Sequence, residues 1–357
     1  MVRYALIAAC LLAGGYGVYY FGIRDDVTSV MQARAREREA IAKQLEEIQF
    51  QDETPKRPRT EFAQDRVPGG DAEAPKPIEI DAKRVMGYLE RICDIGPRQS
   101  GTTGMKKQQE LIRKHFEDLG LTVKSQNFTA RQASQRGDVE MTNLVISVHP
   151  ERKRRIILCS HYDTRPIADQ EPDPRKWREK FISANDGGSG VALLMELGHH
   201  LPKLNTKVGV DLVLFDGEEF IFDRDRDRYF FGSEHFAKNW RATKDRPDYV
   251  AAVLFDMIGG RNPRFPVEGY SWQKARELCI DLWRTAEDLK CGAFLNRHGD
   301  RVLDDHLSLQ NAGIPAVDVI DFDYPHWHRL SDMPENCSPD GLIQVSKVIS
   351  VWLQRTK

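Results

Sequence analysis

Ile156-Ile157-Leu158-Cys159-Ser160-His161-Tyr162-Asp163-Thr164 runs from four unbroken apolar residues into an imidazole and a carboxylate. A strand without polar alternation has no face to offer solvent, so it belongs inside a sheet covered on both sides. The same pattern recurs downstream. Residues 208–215 lead into Asp216-Gly217-Glu218-Glu219, and residues 250–255 lead into Asp256. Residues 316–320 lead into a loop carrying Asp321, Asp323, His326, Trp327 and His328. Residues 144–148 form a further short apolar run. Between these runs lie stretches of helical spacing: 85–95, 105–119, 191–201, 235–240, a long helix over 273–289, and a closing helix over 342–353. Such alternation indicates the α/β class, a single domain whose mostly parallel mixed sheet is covered by helices on both faces.

In open α/β sheets, ligand sites gather outside the carboxyl ends of the strands. The acids and imidazoles at four strand ends are therefore expected to converge. Asp186, in Ala184-Asn185-Asp186-Gly187-Gly188-Ser189-Gly190, precedes a helix and can join them. Taken singly, each residue has an ordinary reading. Asp186 would be turn or cap chemistry, and Glu218-Glu219 a solvated turn. Two adjacent acids at the end of an apolar strand repel unless a cation or a proton intervenes. A set of His, Asp and Glu without thiolate suits zinc.

The 357 residues carry 52 Lys and Arg against 54 Asp and Glu, a net charge of −2, which argues against a broadly basic nucleic-acid binder. Residues 4–23 hold no charge, between Arg3 and Arg24-Asp25-Asp26. That length suits a transmembrane helix at 1–23, with a cleaved signal as the alternative. The positive flank favours the cytoplasmic side, so either reading exports the rest to the periplasmic or extracellular side. Residues 24–77 read as a helical stalk followed by a disordered linker rich in Pro and charge, leaving 78–357 as the catalytic domain. Cys10 falls in the anchor. Cys93, Cys159, Cys279, Cys291 and Cys337 are an odd number, so at least one is unpaired in a monomer, and Cys159 reads as a small core residue.

On Ser160-His161-Tyr162-Asp163-Thr164, the Gly-rich segment around Asp186, Phe215-Asp216-Gly217-Glu218-Glu219, Leu254-Phe255-Asp256-Met257-Ile258-Gly259 and Trp327-His328, the chain resembles the zinc-dependent aminopeptidase and glutaminyl cyclase superfamily. The resemblance runs from about residue 78 to the C-terminus. It implies that Asp186, Glu219 and His328 hold zinc, that His161 and Asp256 are candidates for a second metal, and that Glu218 is the general base.

Three features resemble the glutaminyl-peptide cyclotransferase branch: the long loop over residues 220–231, the segment Asp304-Asp305-His306, and Trp327 beside His328; the run His161-Tyr162-Asp163-Thr164-Arg165-Pro166 with Ala168-Asp169-Gln170 resembles its bacterial type. Arg224 departs from it, standing where animal cyclases carry a loop Trp. The resemblance implies one zinc, a hydrogen bond between Asp304 and Asp256, Trp327 as a wall of the substrate pocket, and peptide or protein N-termini as substrates. Its expected reaction is closure of an N-terminal Gln to pyroglutamate with release of ammonia. Two alternatives remain: a di-zinc aminopeptidase, and a membrane-tethered ectodomain without activity.

Other histidines read as structural. His199 and His200 sit near a helix end, His235 at a helix start and His306 beside the acidic segment. His326 and His328 alternate, so spacing alone does not choose between them; the resemblance selects His328. The alternating run over residues 223–228 reads as a solvated loop.

Overall fold

The structure, a computed structural model, describes residues 75–357. The expected anchor at 1–23 and nearly all of the stalk and linker lie outside the described residues. Among the described residues, no helix is long and apolar enough to cross a membrane.

The chain begins with α1 (Ala82–Asp94) and α2 (Thr103–Asp118), followed by β1 (Val123–Ala130), β2 (Val139–Val148) and β3 (Arg154–His161). Then come α3 (Ser189–Leu197), β4 (Gly209–Phe215), α4 (Phe231–Ala242) and β5 (Asp248–Asp256). The last part holds β6 (Phe265–Val267), α5 (Gly269–Lys274), α6 (Arg276–Asp288), β7 (Phe294–His298), α7 (His306–Asn311), β8 (Ala316–Ile320) and α8 (Asp340–Arg355). The main sheet has the order β1-β2-β4-β3-β5-β8. Strands β4, β3, β5 and β8 are mutually parallel, while β1 and β2 join antiparallel at one side. The expected mixed, mostly parallel sheet is therefore the one observed.

The apolar run of β3 shows why the sheet is covered twice. Ile156 and Leu158 point into a core shared with Leu194 of α3 and Val345 of α8. Ile157 and Cys159 point the other way, against Phe236 and Trp240 of α4 and Leu309 of α7. Alternate residues of one strand thus fill two cores. Every residue of α3 is buried, the mark of an interior helix rather than an amphipathic one. Its start sits directly on the strand ends. A Cβ at Gly190 would meet Ser160 Oγ at 2.2 Å and the Phe255 carbonyl oxygen at 2.6 Å, so only glycine allows this approach.

Two expectations need correction. The helix over 273–289 is broken at Ala275, whose φ of −136° and ψ of 42° are not helical, giving α5 and α6. Strands β1, β6 and β7 and helix α7 were not anticipated; the interior of β1 is polar, as an edge strand can be.

On the far side of α3, the Glu196 carboxylate is buried and accepts from Arg84 Nε at 2.7 Å, Arg84 Nη2 at 2.5 Å, the Asp81 N–H at 3.1 Å and His200 Nε2 at 3.2 Å. Burial pushes this acid up, but the hydrogen bonds from His200, Arg84 and Asp81 outweigh it and hold the group at about 2, below its ordinary 4.5. A depressed carboxylate stabilises the fold above its unfolded value, and the gain is lost as pH falls through the folded one. Glu196→Gln is expected to lower stability at pH 7 by about 1–3 kcal/mol. The gap to wild type should narrow as pH falls below about 4.5 toward 2. Urea unfolding of both proteins at pH 7 and at pH 3 checks this; an equal gap at both would contradict it.

Candidate metal centre

Because β3, β4, β5 and β8 are parallel, their carboxyl ends open on one side. His161 and Asp256 are the last residues of β3 and β5, Glu218 and Glu219 follow β4, and His328 follows β8. Asp186 lies in the loop entering α3. Its position depends on Gly187, at φ +69°, where a Cβ would come within 2.6 Å of the Asp163 carbonyl oxygen and 2.8 Å of the His161 ring.

All six side chains are buried. Ligand atoms of Asp186, Glu219 and His328 lie within 4.8 Å of one another, as do those of His161, Asp186 and Asp256. So do those of His161, Glu218 and Glu219, and Asp186 belongs to the first two of these three groups. His328 Nε2 is 2.6 Å from Glu219 Oε1 and 3.5 Å from Asp186 Oδ2. His161 Nε2 is 3.1 Å from Asp186 Oδ1 and 3.3 Å from Asp256 Oδ1. Glu218 stands beside His161, with Oε2 3.9 Å from Nδ1. The six residues expected to converge do so.

Two further carboxylates hold the loops in place: Asp163, one of the strand-end acids noted in the sequence, and Asp332, which was not. Asp163 accepts from the N–H groups of Glu218 and Glu219, both at 3.1 Å. Asp332 accepts from the N–H groups of Asn185 at 2.9 Å and Asp186 at 3.1 Å, and from the Tyr324 hydroxyl at 2.9 Å. Asp163 follows His161 by two residues, just beyond the end of β3. Asp332 stands in an ordinary loop with no such signal.

The electrostatics are those of a site short of positive charge. Burial, then the charge of Glu219, pushes Glu218 well above the usual carboxylate range. Burial and the charge of Asp186 push Glu219 up to about 7, against the opposing effect of His328. Asp256 is raised by burial first. Burial alone would lower His161, yet hydrogen bonds to Asp163, Asp186 and Asp256 hold its imidazolium far above the ordinary histidine value. Asp186 Oδ2 and Glu219 Oε2 are buried without a hydrogen-bond partner. Oxygen and imidazole donors at this spacing fit a zinc ion, which would relieve the repulsion and occupy those oxygens.

Asp304 Oδ1 accepts from the Asp305 N–H at 2.6 Å, and its Oδ2 is buried without a partner. The hydrogen bond to Asp256 that the resemblance implies is not formed in the structure. Burial first and the Asp256 charge next push Asp304 well above the usual carboxylate range.

Trp327 stacks on His328 with ring centres 4.1 Å apart, and meets Phe322 edge-on at 5.3 Å. His326 Nδ1 instead faces Ser331 Oγ at 2.8 Å, outside all three ligand groups. His306 Nε2 lies 3.3 Å from Glu268, His199 meets the Tyr88 hydroxyl at 2.6 Å, and His235 stacks on Phe128. The five cysteines of the described residues are free and buried.

The run over 223–228 is only partly solvated, contrary to expectation. Asp227 is buried and accepts from Ser134 N–H and Oγ and from the N–H groups of Phe222 and Asp223, which folds the loop back on itself. Arg224 also turns inward, its Nε 3.4 Å from Asp169.

The fold has counterparts among solved structures. The chain superposes on a crystal structure of Fimbriiglobus ruber glutaminyl cyclase with a TM-score of 0.78 and 49% identity, covering 81% of this chain and 100% of that one. A leucine aminopeptidase precursor from Bacteroides thetaiotaomicron gives 0.75 and 26%, over 80% and 100%. Glutaminyl-peptide cyclotransferase of Bothrops jararaca is 23% identical over 290 residues, 72% of this chain and 76% of that protein. Residues 143–353 match peptidase family M28. That match spans more than half of the chain and includes every residue that builds the three ligand groups, and on this ground the chain belongs to peptidase family M28.

Proposed function

We propose that the chain is a glutaminyl-peptide cyclotransferase, closing N-terminal Gln of peptides or proteins to pyroglutamate with loss of ammonia. The observation that carries this reading is the 49% identity to a glutaminyl cyclase across that protein's whole structure. Asp186, Glu219 and His328 would hold the zinc, which when bound supplies Lewis acidity toward the side-chain amide oxygen.

The chain's own residues do the rest. The reaction forms one bond, from the α-nitrogen to the amide carbon, and breaks one, from that carbon to the leaving nitrogen. A proton must pass from the first nitrogen to the second. Glu218 stands outside the Asp186–Glu219–His328 group, and burial beside Glu219 raises its affinity for a proton. It can take the proton from the attacking amine and return it to the departing ammonia. Asp256, the last residue of β5, would place a negative charge where the α-amine must sit. Trp327, stacked on His328, would wall the pocket beside the reacting amide.

A second reading has an observation of its own. The His161–Asp186–Asp256 group shares Asp186 with the first, so the site could take two ions and hydrolyse N-terminal residues instead. The two readings separate when Gln-leading and Leu-leading peptides are offered to the zinc-loaded protein. Ammonia release from the Gln peptide, with the Leu peptide intact and one zinc bound, is the expected result. Free leucine, with no pyroglutamate from the Gln peptide, would overturn the cyclase reading.

A further inference from the structure

We propose that Asp169 is a positioning residue for His328, and that Arg224 latches the loop over residues 220–230 onto it. The inference rests on His328 being a metal ligand and goes beyond the assignment of the reaction.

His328 meets different groups at its two ring nitrogens. Nε2 faces Glu219 and Asp186, while Nδ1 lies 3.0 Å from Asp169 Oδ1. A carboxylate at Nδ1 keeps the single proton of a neutral imidazole there, which leaves the Nε2 lone pair aimed at the ligand group. Asp169 is itself fixed. Its side chain is fully buried, and its Oδ2 lies 3.0 Å from Arg165 Nη2. Arg165, also fully buried, brings Nη1 to 3.6 Å from Glu219 Oε1 and Nη2 to 3.1 Å from the Tyr229 hydroxyl. The backbone braces the same contact: Gln170 N–H donates to the His328 carbonyl at 3.1 Å, and Leu330 N–H to Glu171 Oε1 at 2.8 Å.

Arg224 reaches this centre from the loop that follows Glu218 and Glu219. Its Nε is 3.4 Å from Asp169 Oδ2, and its guanidinium lies over the Trp177 ring, 5.7 Å from the centroid. Trp177 is tied to the same strap, its carbonyl accepting from the Ala168 N–H at 2.8 Å. The loop beside the ligand pair is thereby joined to the outer partner of His328 through one arginine. If Asp169 only neutralised Arg165, removing its charge would disturb the fold without changing how tightly the folded protein holds zinc.

The test uses the full chain, with zinc as the probe. Chelator competition gives the zinc dissociation constant of the wild type and of Asp169→Asn. Melting of the zinc-free proteins reports the fold. Mass spectrometry of a brief trypsin digest gives the rate of cleavage after Arg226, an exposed residue of the loop. Asp169→Asn is expected to weaken zinc binding about 10–100-fold, with the zinc-free melting point within a few degrees of wild type. Arg224→Met is expected to raise the cleavage rate after Arg226 severalfold.

Unchanged zinc affinity in Asp169→Asn would overturn the positioning role, and unchanged cleavage in Arg224→Met would overturn the latch. Should Asp169→Asn not fold, Asp169→Glu takes its place; it keeps the charge against both arginines but shifts the carboxylate off Nδ1, and the same loss is expected. A wild type that binds no zinc would instead sink the metal-centre reading.

Discussion

Glu218→Gln keeps its fold and its zinc and cyclises a Gln-leading peptide about 10²–10⁴-fold more slowly than wild type. Three features of the site lead to this expectation. The amide has the shape of the carboxylate, and the backbone N–H of residue 218 still donates to Asp163, so the loop keeps its course. The side chain is outside the group formed by Asp186, Glu219 and His328, so a zinc held there loses no ligand. What the amide lacks is a basic oxygen able to take a proton from one nitrogen and pass it to the other. The loss should fall on kcat, with KM and zinc content close to wild type, because the group acts in the transition state rather than in binding. Activity within tenfold of wild type in a zinc-loaded variant would sink the role of Glu218.

The sheet could be read from the sequence because burial on two faces writes itself as unbroken apolar runs. The cores of β3, β4, β5 and β8 stand where those runs are. Strand β1 escaped because Lys124, Ser125, Gln126 and Asn127 are what an edge strand with a solvated face can carry. The break at Ala275 escaped because nothing in Gln273-Lys274-Ala275-Arg276 is a helix breaker. The same division runs through the site. His161, Asp186, Glu218, Glu219, Asp256 and His328 were visible because each stands at a strand end or before a Gly-rich turn. Asp332, Asp169 and Arg165 act through a backbone N–H or through another side chain, and the site residues they reach, Asp186, His328 and Glu219, are distant in sequence. Asp332 is 146 residues from Asp186, so no local pattern connects them.

The alternating histidines provide the sharpest test of the metal centre. His328→Ala is expected to weaken zinc binding at least about 100-fold, and cyclisation falls with it at limiting zinc, whereas His326→Ala keeps both. The two residues share a loop and a side-chain type, so a general disturbance of the loop would affect both variants alike. Their surroundings differ. His328 is buried, with Nε2 2.6 Å from Glu219 and 3.5 Å from Asp186, while His326 is partly exposed and faces Ser331. Removing His328 leaves Asp186 and Glu219, two buried carboxylates, without the imidazole that completes the triad. It does not unload the backbone clamp, because Asp332 holds the Asp186 loop and Asp163 holds the Glu219 loop independently of His328. The variant should therefore fold, and metal analysis after dialysis against a weak chelator reads the loss directly. Wild-type zinc affinity in His328→Ala, or an equal loss in His326→Ala, would remove His328 from the ligand set and with it the reading of Asp186, Glu219 and His328 as one site.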